Sequence, residues 1–229
     1  MILRDSRSLV LLAAPTEPTE LRTIFSDDPA GIKSRLENPP DLRPGSGWGL
    51  TTRDRARFVR GEFIRVQTFR EVIDLYRDGF LLLGALINHN FLAWADRDES
   101  TRIHPLALIE LTVNFTRFYE RVLDDFRARP TEVELRIMAR NMHQHGKTTG
   151  LPAGALNNAG WSIGRLEAPQ PEWGKNLIVR SDTYKSEVVA FQLLREFYVW
   201  FGHSEDDIPY TRVDGPTKSI DLDAILSLR

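Results

Sequence analysis

The sequence predicts an α+β fold: a mixed or antiparallel sheet with a central β-hairpin, packed by two long amphipathic helices. Three stretches of the 229-residue chain carry that expectation. Between Glu71 and Ile87, two apolar runs flank Asp78-Gly79. An Asp-Gly pair tolerates the positive φ that a tight hairpin turn needs. From Pro105 to Arg129, Leu108, Leu111, Phe115, Phe118, Val122 and Phe126 recur at steps of three and four. That spacing draws one apolar stripe along a core-packing helix. From Ser186 to Phe201, Val189, Leu193, Phe197 and Trp200 draw a second stripe, and Gly202 stands where a helix stops.

The other elements follow in chain order. Ser8 to Ala14 is apolar and reads as a strand, broken by Pro15-Thr16-Glu17-Pro18. The same run follows Arg4 and Arg7 like a signal peptide, but it is short for one and Asp5 interrupts the basic flank. Thr19–Phe25 and Ala30–Leu36 read as short helices, with Thr19 and Asp28 as caps and Pro29 in a first turn. Pro39, Pro40, Pro44, Gly45, Gly47 and Gly49 then make the best linker in the chain. The expected division is a lead segment over 1–49 and an α+β domain over 50–229. The returning hairpin strand, Phe80 to Ile87, is apolar at nearly every position and so is expected to be central. Gly84 marks a bulge or a close approach within it. Pro105 suits a first helical turn, and Arg129-Pro130 ends that helix. Thr131 to Met138 alternates as a half-buried strand. A glycine loop (Gly146, Gly150, Gly154), a short strand at Leu177–Val179 and a tail at Ile220–Ile225 complete the reading.

Composition sets limits. Hydrophobic residues make up 41% and charged residues 27%, an ordinary globular balance. A formal charge of -2 gives no global basic field, so nucleic acid would need a local patch. With no cysteine, disulfides, thiol catalysis and Cys-based zinc sites are excluded, which fits a reducing cytoplasm. No apolar run approaches the ~20 residues that span a bilayer, so no membrane partner is expected.

Two stretches invite a chemical reading. Arg53, Arg55, Arg57, Arg60 and Arg65 lie among Phe58, Phe63 and Phe69. Guanidinium groups for phosphate and rings for bases are what a single-stranded nucleic-acid platform uses. The opposing reading is a solvated strand face, since lysine stands only at 33, 147, 175, 185 and 218 and arginine is general. The second stretch holds His143, His145 and Lys147. Two imidazoles on one side of an extended segment could hold a metal with a third ligand from His89, His104 or His203. Gly146-Lys147-Thr148 copies the end of a phosphate-binding loop. Asn141 stands where that motif needs glycine, and Gly150, Pro152 and Gly154 oppose the helix it requires. No Gly-x-Ser-x-Gly elbow is present. No catalytic residue and no cofactor follows from these patterns.

Leu75-Tyr76-Arg77-Asp78-Gly79-Phe80, Ile103-His104-Pro105-Leu106-Ala107-Leu108, and Leu193 to Gly202 with the polar stretch to Gly215 carry a family likeness. From about Phe69 to Ile225 the chain resembles the region that follows the Schlafen AlbA-like DNA-binding domain in bacterial proteins often labelled as ATP-binding. The AlbA-like core itself, with its acidic "Glu then Phe-Lys" strand, has no counterpart here. The resemblance therefore implies an accessory half with a protein partner or a missing N-terminal domain, and it supplies no site residues. The resulting expectation is a non-enzymatic accessory or interaction domain of an AlbA-like or Schlafen-like nucleic-acid-associated protein. The alternatives are a nucleic-acid-binding module using the arginine-rich strand, and a metal- or nucleotide-dependent enzyme using His143, His145 and Lys147.

Overall fold

Alternating burial along the strands fixes which side of the sheet faces the core. In the computed structural model, which describes residues 5–22, 32–46, 48–50, 57–59, 62–89, 91–94, 101–154 and 165–228, the predicted hairpin is β4 (Glu71–Tyr76) and β5 (Leu81–Leu86). Before it come β1 (Ser8–Pro15), α1 (Ile32–Glu37), β2 (Arg57–Val59) and β3 (Phe63–Gln67). After it come β6 (Ala93–Trp94), β7 (Thr101–Ile103), α2 (Pro105–Leu123), β8 (Glu132–Arg140), β9 (His143–Gln144), β10 (Lys147–Pro152) and β11 (Arg165–Glu167). The chain closes with β12 (Trp173–Arg180), α3 (Ser186–Phe201), β13 (Thr211–Asp214), β14 (Thr217–Ile220) and α4 (Leu222–Leu226).

The described strands form an antiparallel sheet in the order β12-β8-β1-β5-β4-β3-β2, so the apolar β5 is its middle strand. The expected α+β class with a central antiparallel sheet is what the chain forms. Leu9, Leu11, Leu83, Ile73, Ile64, Leu135 and Ile137 point to one face and join one hydrophobic core. On that face α2 packs on β1, and α3 packs on α2, β8 and β12. A second sheet, β11-β10-β7-β6, includes the parallel pair β7–β10.

Several elements depart from expectation. Described parts of the expected lead segment share one core with described parts of the expected α+β domain. β1 pairs with both β5 and β8, and Leu36 and Leu42 are buried with Leu50. The described residues of the proline- and glycine-rich stretch form no helix or strand, yet Pro39, Pro40, Leu42, Gly49 and Leu50 are all buried. At the helix expected over Thr19–Phe25, Leu21 forms a β-bridge to Phe126, and residues 23–25 lie outside the described residues. The first long helix stops at Leu123, capped by Asp124, before the expected Arg129. The glycine loop is a hairpin: His145 (φ 55°) and Gly146 (φ 73°) make a two-residue turn between β9 and β10, and Lys147-Thr148 begins a strand. The strand expected at Leu177–Val179 runs the full eight residues of β12. The tail turns into α4 rather than a strand.

The β4–β5 turn also differs in detail. Only Gly79 takes positive φ (81°); the Tyr76 N–H donates to the Phe80 carbonyl, the Gly79 N–H to the Tyr76 carbonyl, and the Phe80 N–H to Asp78 Oδ1. This is a three-residue turn ending in a left-handed glycine. The buried Phe126 ring lies so close that a β-carbon on Gly79 would sit 2.1 Å from Cζ. Gly79→Ala therefore strains the backbone and displaces a core ring, and is expected to cost about 2–3 kcal/mol. Gly146→Ala, at a similar φ with open space around it, is the control and should cost about 1 kcal/mol. Urea unfolding midpoints measure both; equal losses would show that the ring contact adds nothing.

Candidate interaction surface

Of the arginine-rich stretch, the described residues hold Arg57 and Arg65. Arg53, Arg55 and Arg60 lie outside the described residues. Arg57 is in β2, directly opposite Arg65 in β3. The Arg65 fork is committed within the sheet: Nε donates to Asp74 Oδ1 at 2.7 Å and Nη2 to Oδ2 at 2.6 Å. That hydrogen bonding raises the Arg65 pKa above its ordinary value. The guanidinium also lies 5.1 Å from the Phe63 ring. A bidentate carboxylate occupies the same donors that a phosphate would take.

His143 and His145 are parted by their roles in the β9–β10 hairpin. The His143 Nε2–H donates to the Ala168 carbonyl at 2.6 Å. His145 is an exposed turn residue with positive φ. Among the described residues no three His, Asp or Glu side chains are grouped to hold a metal. His203 is buried, its Nε2–H donating to the Leu151 carbonyl at 2.8 Å.

A polar cluster that the sequence did not reveal sits against α2. Glu110 is fully buried there. Arg43 contacts Glu110 Oε1 at 2.7 Å through both Nε and Nη2, and Ser46 Oγ donates to Oε2 at 2.9 Å. Arg43 Nη1 donates to the Leu228 carbonyl at 3.2 Å. Burial raises the Glu110 pKa, against the lowering effect of the Ser46 and Arg43 donors. Beside it, Trp48 packs on His104 at 4.6 Å. His104 caps α2 by accepting the Ala107 N–H at Nδ1, which needs a neutral ring, and burial lowers its pKa to about 4. With both Glu110 oxygens engaged, the cluster works as a clasp on residues 41–50 rather than as a reactive centre.

Glu71 is the opposite case. It begins β4 on the core face, is 3% exposed, and neither carboxylate oxygen has a hydrogen-bond partner. Burial raises its pKa to about 7, and nearby Arg70 only partly offsets this. A cleft of about 530 Å³ lies between α3 and the β13–β14 hairpin, lined in part by Arg195 and Lys218. Both cations are already paired, Arg195 with Glu196 and Lys218 with Glu205 and Asp206.

The exposed end of the main sheet is its most available feature. β12 pairs only with β8 among the described residues, leaving its outer edge unmatched. The Ser181 N–H bonds to the Thr131 carbonyl in line with the β8–β12 register. In an antiparallel ladder such bonded pairs alternate. Trp173, Lys175, Leu177 and Val179 therefore bond to β8, while Gly174, Asn176, Ile178 and Arg180 aim their N–H and C=O groups outward. The register is continuous over eight pairs, with no proline and no bulge to blunt the edge. Ile178 is 60% exposed on the helix-free face. On the core face Trp173 stacks on Trp200 at 5.2 Å, and Lys175 Nζ lies 3.7 Å from Glu196. No helix among the described residues is long and apolar enough to cross a membrane. No family model matches the chain, and it matches no curated protein and no solved structure.

Proposed function

We propose that this chain is a non-enzymatic α+β accessory domain that associates with protein through the free edge of β12. Its setting is a cytoplasmic, AlbA-like or Schlafen-like nucleic-acid-associated bacterial system, as the sequence resemblance suggests. The observation that carries the reading is the long, regular edge strand with an exposed isoleucine. Unpaired backbone groups in an extended row are a template for a further strand, and side-chain pockets alternate along it. Commitment of the Arg65 fork to Asp74 favours protein over nucleic acid as the partner.

Selection of displayed extended peptides on the purified chain tests this, with hydrogen exchange locating where they bind. The expected result is protection of the Gly174, Asn176, Ile178 and Arg180 amides. A short single-stranded oligonucleotide is titrated in parallel. Binding of the oligonucleotide that falls steeply with salt, with no peptide protecting those amides, would replace this reading with the arginine-strand module.

A further inference from the structure

We propose that the strand which completes the sheet is β12 of a second copy of this chain, antiparallel about a two-fold axis at Asn176. This rests on the edge reading above and names its partner. Two constraints restrict the register. Outward-aimed residues must face outward-aimed residues so that their N–H and C=O groups exchange bonds, which places even numbers opposite even numbers. A two-fold axis perpendicular to the sheet also keeps both helix-covered faces on one side.

Charge then chooses among the allowed registers. With the axis at Asn176, Gly174 faces the second copy's Ile178, and Glu172 faces its Arg180. Both Glu172 and Arg180 are exposed, and the symmetry makes the pair twice; Arg180 bonds Asp182 of its own chain through Nε at 3.1 Å and Nη2 at 2.6 Å, so its fork turns from or is shared with Asp182 to meet Glu172. On the core face Trp173 meets Val179 and Lys175 meets Leu177. An axis at Leu177 sets Glu172 against Asp182. An axis at Lys175 sets that lysine against itself. Like charges directly opposite destabilise a strand pair, so both shifts are disfavoured. Moving the axis to Ile178 loses the Glu172–Arg180 pairs. The Asn176 register also covers Ile178: a glycine opposite leaves room for it beside Met138, whose Cγ lies 3.1 Å from where a Gly174 β-carbon would be. The product is one continuous sheet through both copies, with its β12 edges abolished.

Sedimentation velocity of the full chain over a concentration series tests the proposal with three variants. Glu172→Arg should weaken the dimer about tenfold, since two attractive pairs become repulsive. Adding Arg180→Glu should restore most of that loss, because the reversed charges pair again across the axis. Asn176→Pro should leave a monomer with unchanged circular dichroism, since the N–H it removes faces away from β8. A wild-type chain that stays monomeric throughout, while selected peptides still protect the β12 amides, would overturn self-pairing and leave the edge reading intact. A dimer indifferent to these substitutions would place the interface elsewhere and overturn both the axis and the register.

Discussion

Replacing Glu71 by Gln stabilises the protein above pH 7 and leaves it nearly unchanged near pH 4.5. The Glu71 carboxyl group is 3% exposed and has no hydrogen-bond partner on either oxygen. Burial raises its pKa from 4.5 to about 7, and among the described residues Arg70 is the charged group that opposes the rise. In the unfolded chain the group titrates near its ordinary value. Between about 4.5 and 7 the unfolded chain therefore gives up a proton that the native state keeps. Stability falls as pH rises through that window and stays lower above it. The shift corresponds to about 3 kcal/mol, an upper figure because a buried site can relax or admit water. Glutamine keeps the shape and removes the charge, so E71Q should recover most of that loss at pH 8. His104 slopes the other way. Its lowered folded pKa, about 4, means that the unfolded chain gains a proton first as pH falls below about 6.5, which removes stability on the acid side. Comparing wild type with E71Q at each pH cancels the His104 contribution. Denaturant unfolding at pH 5 and pH 8 decides the matter: a difference between the two proteins that does not grow with pH would mean that Glu71 is ionised or hydrated in the native state.

What the sequence reveals is what repeats locally. β5 is recognisable because its apolar run is unbroken, and α3 because its stripe and terminal glycine agree, with Gly202 at φ 93°. The α2 stripe is equally plain, but the opposite side of that helix is buried too. Glu110, Asn114 and Thr116 are inaccessible and bond to Arg43 and Ser46, to the Leu42 N–H and to the Ser186 carbonyl at the start of α3. No periodicity reports burial of a polar face by segments so distant in the chain. β12 shows only its Leu177–Val179 end, because an edge strand exposed along most of its length has little alternation to display. Proline and glycine between Pro39 and Gly49 correctly signal irregular backbone. They do not signal absence of packing: Leu42 is 3% exposed and its N–H donates to Asn114 Oδ1 at 2.9 Å. His143 and His145 form a pair in the sequence, whereas in the fold His145 takes positive φ in a turn and His143 bonds the Ala168 carbonyl.

The clasp that replaces the expected linker carries the other large effect. Arg43→Ala removes the ion-pair partner of a carboxylate that is completely inaccessible, while Ser46 remains as a single donor. Stranding a buried charge in this way typically costs about 3–5 kcal/mol. Glu110→Ala should cost less, because the Arg43 side chain is 17% exposed and can turn to water. The two losses should also differ in pH dependence. Without Arg43 its hydrogen bond and charge no longer lower the Glu110 pKa and only the Ser46 donor still opposes burial, so the stranded group takes up a proton more readily as pH falls. R43A should therefore recover part of its loss between pH 8 and pH 5, whereas E110A should not. The joint replacement Arg43→Met with Glu110→Leu removes both charges together and should be less damaging than R43A alone. Hydrogen exchange adds a local readout, because the clasp holds Leu42 against α2: the Leu42 amide should lose protection in R43A before the amides of β5 do. A double replacement as damaging as the summed singles would mean that Arg43 and Glu110 act independently, and residues 41–50 would then be held by the burial of Leu42 and Leu50 without help from the ion pair.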